Sequence, residues 1–135
     1  MFKKSIYNTI MKDGKKHIAE KVVLKVLKNL QKTSKNCQSV FKLSVLNSSP
    51  ILFLKHIKRK RKQTKSFPFI LKPGLRISYG LKTLISICRK KNNFLVNLNQ
   101  EILDSSNKVG KSFNYKTETH KSAFSKKKFS NYRWF

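Results

Sequence analysis

Apolar side chains recur every three or four positions in three stretches of the chain, the spacing that places them on one face of an α-helix. The stretches are residues 15–32, 73–91 and 94–104, and the pattern predicts a helix over each. The side chains expected to face the core are Ile18, Val22, Val23, Val26, Leu27 and Leu30 in the first, Ile77, Leu81, Leu84, Ile85 and Cys88 in the second, and Leu95, Leu98 and Ile102 in the third.

Two further helices are predicted from shorter patterns. The first covers residues 39–47, and the second covers residues 117–129 after a predicted loop at 107–115 that contains Gly110. Asp-Gly and Asn-Asn pairs at 13–14 and 92–93 are typical of turns and caps before a helix. In the first of the two helices, the side chains available for burial are Val40, Phe41, Leu43 and Leu46.

The middle of the chain changes to residues that suit β-strands. Residues 51–57 and 66–71 predict two strands, and the segment between them begins with five consecutive bases at 58–62. Pro68 favours an edge strand, since proline lacks the N–H that a central strand requires. The predicted fold class is therefore mainly α, a helical bundle with one projecting β-hairpin whose tip is too charged to fold back onto a core.

The charge balance narrows the function. The 135 residues include 32 Lys and Arg against 5 Asp and Glu, a formal net charge of +27, and 39% are hydrophobic. Enough apolar residues are present for one folded domain, but its like charges repel one another unless a polyanion neutralises them. RNA phosphate is a natural partner, because binding also releases the cations condensed on RNA.

Catalytic chemistry is not expected. The acids form no metal or acid–base motif, and Glu101 and Asp104 are expected to form ion pairs on a helix surface. Cys37 and Cys88 lack metal-ligand spacing, and Cys88 is expected to be a buried thiol. The sequence thus predicts neither an enzyme nor a cofactor or metal.

A membrane partner is not expected either. No segment approaches the ~20 apolar residues that span a bilayer. An N-terminal apolar signal segment is not present, and a cleaved import presequence is not expected.

Candidate RNA contacts cluster at the start of the first helix, the hairpin, both ends of the 73–91 helix and the C-terminal tail. Lysine offers a point charge to phosphate, arginine a planar fork, and aromatic rings a surface for unstacked bases. Three alternatives stay open: a solvated charge run at the hairpin tip, a solubilising turn at the helix start, and packing of the tail against the protein itself. The candidates are Lys12, Lys15, Lys16, Lys55, Lys58, Arg59, Lys60, Arg61, Lys62, Arg76, Arg89, Lys90, Lys91, His120 (in an RNA or helix-packing contact), Tyr132, Arg133 and Trp134.

Several of these motifs occur in one family at nearly the same spacing. The chain resembles the small-subunit ribosomal protein seven family, of the universal, bacterial type, over almost its whole length. The motifs that carry the resemblance are MKDGKK at residues 11–16 followed by Ala19, Glu20 and Lys21, then Val40-Phe41, Pro50, Phe67-Pro68-Phe69, Arg76, Arg89-Lys90-Lys91, Thr119-His120-Lys121, Phe129 and Tyr132-Arg133-Trp134.

The resemblance implies one domain, with helices over 1–50, the hairpin over 51–71, helices over 73–129 and a tail over 130–135. It implies a structural constituent of the small ribosomal subunit that binds the 3′ major domain of its rRNA and nucleates assembly of the head. It further implies neighbouring small-subunit proteins, and exit-site tRNA and mRNA nearby. Two departures from the family are expected: a basic N-terminal arm reduced to Lys3 and Lys4, and bases, Arg61 and Lys62, at the approximate positions of the family's paired glycines at the hairpin tip.

The composition also bears on location and on rival functions. A preference for Lys, Asn, Ile and Phe, with two alanines, is typical of AT-rich coding sequence and indicates an organelle, with a mitochondrion preferred to a plastid because of the divergence. One rival function is a basic nucleoid protein that compacts DNA. The other is a cationic membrane-active protein, although its lysines would be expected along one helix face.

Overall fold

The structure is a computed structural model that describes residues 2–58, 64–90 and 92–131. Helices account for most of these residues, and one antiparallel hairpin separates α3 from α4, which confirms the predicted fold class. The elements are α1 (Phe2–Ile10), α2 (Lys16–Thr33), α3 (Cys37–Ser48), β1 (Leu52–Ile57), β2 (Lys65–Ile70), α4 (Pro73–Arg89), α5 (Phe94–Ser106), α6 (Lys111–Ser125) and a short 3₁₀ helix, η1 (Lys127–Phe129).

The three helices with a clear apolar period form as predicted, with ends within two residues of the predicted ones. Leu30, Leu84 and Ile102 are almost completely buried where their helices meet. Ile18 is an exception, because it is 57% exposed at the start of α2. The core contains Ile6, Ile10, Ala19, Val23, Val26, Leu30, Cys37, Val45, Leu81, Leu84, Ile85, Cys88, Leu98 and Ile102.

The prediction for the buried face of α3 was partly wrong. Leu43 and Leu46 are about half exposed, at 50% and 51%, whereas Ser44 and Ser48 are buried. The Ser44 hydroxyl bonds to the Ser105 hydroxyl of α5 at 2.7 Å, and Ser48 donates to the Ser112 hydroxyl of α6 at 3.1 Å. Small hydroxyl side chains allow the helices to approach closely while satisfying each other's hydrogen bonds.

The predicted loop at 107–115 is confirmed only over residues 107–110 and was wrong beyond them, because α6 begins at Lys111 and runs to Ser125. Its start is stabilised by a polar contact that an apolar period cannot reveal. The Glu101 carboxylate accepts hydrogen bonds from the N–H and the hydroxyl of Ser112, each at 2.7 Å. Glu101 is therefore a buried acceptor at the N-terminus of α6 and not the surface ion-pair residue that the sequence predicted.

The apolar pattern did not predict α1, although the family resemblance implied helices over 1–50. Ile6 and Ile10, one turn apart, are both buried in the core between α2 and α4. After α1, Asp13 and Gly14 adopt left-handed backbone angles, with φ of 51° and 70°. The predicted turn before α2 is thus confirmed.

The hairpin is seated on the C-terminal part of the chain. Its two strands pair in the register Leu52 to Ile70 and Ile57 to Lys65. The Phe67 ring on β2 is buried and meets the Phe129 ring of η1 edge-on, with centroids 5.7 Å apart, and the Lys126 ammonium donates to the Ser66 hydroxyl. These contacts on β2 give the hairpin a fixed orientation relative to η1 and the end of α6.

Candidate nucleic-acid interface

Three predicted contact residues from separate parts of the chain line one cleft. The turn after α1 brings Lys12 and Lys15 beside Arg89, at the end of α4, around an opening of about 350 Å³. Lys12 and Lys15 are exposed, and α2, which begins next to them, has no side-chain N-cap. The cleft places the side chains of Lys12, Lys15 and Arg89 beside the N-terminus of α2, an arrangement of positive charge suited to phosphate.

Arg89 also has a structural role that the sequence did not reveal. One guanidinium nitrogen, Nη2, donates to the carbonyl oxygens of Thr9 at 3.2 Å and Ile10 at 2.8 Å. These carbonyls end α1, which has no basic residue in its last turn. Arg89 thus places a positive charge at the negative end of the α1 dipole and ties α1 to α4.

Two other predicted residues lie outside this cleft. Lys16 is exposed and pairs with Glu20 one turn along α2, with nitrogen and oxygen 3.8 Å apart, and such a surface pair contributes little to stability. Lys90 lines a separate groove of about 370 Å³ between the end of α4 and the start of α6, together with Lys111 and Tyr115. Lys90 remains available for phosphate beside a second lysine and a ring.

The second group, which we call the cationic cluster, consists of Arg76, Lys108, Lys116 and His120. It unites Arg76 on α4 with His120 on α6, two predicted residues that are distant in sequence. Nε of Arg76 is buried and has no hydrogen-bond partner within the described part of the chain. An unsatisfied buried donor among like charges favours an anion as the missing partner.

The charges in this cluster act on one another. Burial, followed by the nearby charges of Arg76 and Lys108, lowers the pKa of the Lys116 ammonium. Burial, followed by Lys116 and Arg76, also lowers the pKa of His120. An RNA phosphate placed here would relieve the repulsion that disfavours both charged forms.

His120 makes a packing contact. Its Nε2 accepts hydrogen bonds from the backbone N–H of Ile51 at 3.0 Å and, less closely, of Leu52 at 3.4 Å. Nε2 must be unprotonated to accept, so the ring is neutral and its proton is assigned to Nδ1. Of the two roles predicted for His120, the structure shows the packing one: the ring joins α6 to the start of the hairpin.

Two predicted contact residues of the hairpin are exposed: Lys55, which lies within β1, and Lys58, which directly follows it. The remaining tip residues Arg59, Lys60, Arg61 and Lys62, together with Lys91 and the tail residues Tyr132, Arg133 and Trp134, lie outside the described residues. Their roles in RNA contact stay predictions.

Sequence reasoning missed Lys108, Lys111 and Lys116. All three belong to or border the stretch that was predicted to be a loop, where isolated lysines carry no directional signal. Once α6 is known to begin at Lys111, Lys116 and His120 fall one turn apart and so lie on the same face of the helix.

Other kinds of site find no support in the described residues. Across residues 2–58, 64–90 and 92–131, no group of three His, Cys, Asp or Glu side chains is arranged to hold a metal ion. None of the helices in those same ranges combines the length and the apolar character that crossing a membrane requires.

Fold and surface together define a class: a small, strongly basic α-helical protein with one hairpin, whose cationic side chains line open clefts. Comparison with known proteins then identifies the family. The chain matches the family model "Ribosomal protein S7p/S5e" over residues 2–127. It therefore belongs to that family, which confirms the resemblance read from its motifs.

The relatives are bacterial proteins called small ribosomal subunit protein uS7. The one from Thermodesulfovibrio yellowstonii is 35% identical over 134 residues, covering 96% of this chain and 84% of the relative. The one from Ureaplasma parvum is 34% identical over 132 residues, with coverages of 96% and 84%. The one from Methylococcus capsulatus is 33% identical over 130 residues, with coverages of 94% and 83%.

Proposed function

We propose that this chain is a structural constituent of the small ribosomal subunit and that it binds rRNA rather than catalysing a reaction. Membership of the S7p/S5e family is the observation that carries the proposal. Positive charge is supplied at several points of the helical scaffold: the cleft at Lys12, Lys15 and Arg89, the groove at Lys90 and Lys111, and the cationic cluster. The mechanism is simultaneous neutralisation of phosphates from rRNA segments that converge on the protein.

The proposed RNA target is the 3′ major domain of small-subunit rRNA. Binding there would fix the junction from which the head of the subunit assembles, with neighbouring small-subunit proteins adding later. The hairpin would lie towards exit-site tRNA and the mRNA path. Reconstitution of the head proteins on a 3′ major domain transcript, with and without this chain, tests the assembly role. The later proteins should fail to bind when it is omitted.

Sedimentation of the tagged protein separates this function from its rivals. In a high-salt gradient a ribosomal constituent travels with small subunits, because contacts from several faces dissociate together only rarely. A DNA-compacting nucleoid protein would instead follow the DNA, and a membrane-active protein would float with lipid. Either of these two distributions would refute the ribosomal assignment.

We further propose an organellar location, with a mitochondrion preferred to a plastid. The proposal rests on the lysine- and asparagine-rich, alanine-poor composition and on the altered hairpin tip. Immunodetection in purified organelles tests it. Enrichment with mitochondrial ribosomes is expected, and recovery with plastid or cytosolic ribosomes would contradict it.

A further inference from the structure

One aromatic surface lies outside the residues that the sequence singled out. Phe53 on β1 and Phe69 on β2 are register partners, and their rings meet edge-on with centroids 5.8 Å apart. Tyr79 of α4 approaches Phe53 with centroids 4.7 Å apart and a tilt of 41° between the rings. We call Phe53, Phe69 and Tyr79 the aromatic platform.

The platform is accessible and not part of the core. All three rings are only partly buried, and together with Lys55 they line an opening of about 380 Å³. The Lys82 ammonium lies 6.0 Å from the centre of the Tyr79 ring. These partly buried rings leave room for a flat group and so differ from Phe67, whose ring is buried beside Phe129.

The charged residues around the aromatic platform favour a nucleic acid over a protein partner. Residues 51–90, which include both strands and α4, contain no acidic residue but many lysines and arginines. Rings for stacking beside ammonium groups for phosphate are the combination that binds single-stranded nucleic acid. An apolar side chain of a neighbouring protein would use the rings but gain nothing from the lysines.

We propose that the aromatic platform is a stacking site for an unpaired RNA base, with Lys55 and Lys82 beside the flanking phosphates. The inference rests on the proposed RNA-binding function and adds to it a site of defined chemistry. One base stacks on the exposed part of the Phe53–Tyr79 pair while Phe69 borders its edge. Stacking on a ring tolerates any base, so the site takes single-stranded RNA with little sequence preference.

Two oligonucleotides of equal charge test the proposal. One is a single-stranded RNA of about ten nucleotides, and the other has the same backbone with abasic positions. The protein should bind the RNA with bases roughly 5- to 150-fold more tightly. Phe53→Leu and Phe69→Leu should reduce that ratio towards one, Phe53→Tyr should keep it, and Phe124→Leu, which removes an exposed ring elsewhere, should leave it unchanged.

Three results would overturn the platform: equal affinity of the protein for both oligonucleotides, an unchanged ratio in Phe53→Leu, or an equal loss in Phe124→Leu. Equal affinity is also what an apolar protein partner predicts. If a leucine variant fails to fold, the unaltered protein can be photocrosslinked to thiouridine-containing RNA instead. Crosslinks in β1, β2 or α4 would support the platform, and crosslinks elsewhere alone would overturn it. If the stacking site is refuted, salt-dependent binding of the rRNA domain can still be observed. The stacking proposal and the proposed rRNA-binding function can therefore fail separately.

Discussion

Polar residues here have roles that residue type alone does not disclose. Glu101 and His120 are one of five acids and one of three histidines in the chain, and both serve as acceptors for backbone N–H groups. A sequence pattern shows which residues are apolar but not which polar group another segment will approach. That is why the surface role predicted for Glu101 was wrong, whereas the burial of Cys88 and Leu84 followed from helical spacing.

Replacement of Glu101 should destabilise the fold. Glu101→Ala removes the charged acceptor of two buried Ser112 groups, and we expect a loss of roughly 2 to 3 kcal/mol in the free energy of unfolding. Urea denaturation followed by circular dichroism measures it. Glu118→Ala, which removes an exposed carboxylate on α6, is the matched control, and equal midpoints for the two variants would contradict the buried role.

Protonation of His120 should weaken the seating of the hairpin. Burial, with Lys116 and Arg76 nearby, holds the pKa of folded His120 below its usual value of 6.5, so the unfolded chain takes up this proton first. The contribution of His120 is therefore present above pH 6.5 and is lost as the pH falls through the lower pKa of the folded state. The urea midpoints of the unaltered protein and of His120→Gln should differ above pH 6.5 and should converge as the pH falls below the pKa of the folded state. Parallel plots of midpoint against pH would refute the role of neutral His120 in seating the hairpin.

At the scale of elements, the helices stabilised by a buried apolar stripe could be predicted from the sequence, whereas the helix stabilised by contacts with other segments could not. Helices α2, α4 and α5 bury apolar stripes and were predicted from them, whereas α6 buries only Ser112 and Ala123 fully and relies on partners in α3 and α5. The two strands were predicted, but their seating on η1 and α6 was not, because Phe129 and His120 are far from the hairpin in sequence. Similarly, Arg76 and His120 became one cluster only in three dimensions.

The seating of the hairpin can be tested independently of RNA. Phe129→Ala removes the ring that packs on Phe67, at a cost of about 1.5 kcal/mol in aromatic contact. Amide hydrogen exchange in β1 and β2 should become roughly tenfold faster, while exchange in α2 stays unchanged. Phe124→Ala serves as the control, and a uniform acceleration across all helices would show a general loss of stability instead.

The hairpin tip provides a prediction about binding. Serine at all five positions of residues 58–62 should weaken RNA binding without unfolding the helical body, because those charges lie beyond the strands that pack on α6. Filter binding and circular dichroism of the same variant measure both effects. A collapse of the helical signal would contradict the view that the tip acts independently of the body.

At the scale of the whole molecule, a net charge of +27 means that like charges repel one another unless an anionic partner neutralises them. In the part of the chain that the structure describes, one salt bridge forms, between Lys16 and Glu20. Most lysines and arginines there are therefore not paired with an acidic side chain. Charge alone indicated a polyanion, and the family match narrowed the class to ribosomal proteins. The fold adds the places at which phosphate can approach.

The most direct test is the salt dependence of binding to a transcript of the 3′ major domain, compared with duplex DNA of equal length. Each phosphate contact contributes a log–log slope of roughly −0.7 to −0.9, so contacts by Lys12, Lys15, Arg76, Lys90 and Lys116 predict about −3.5 to −4.5. We expect at least this steepness, with tighter binding to the rRNA domain than to DNA at every salt concentration. A flat salt dependence, or equal affinity for DNA, would contradict binding of rRNA through its phosphates.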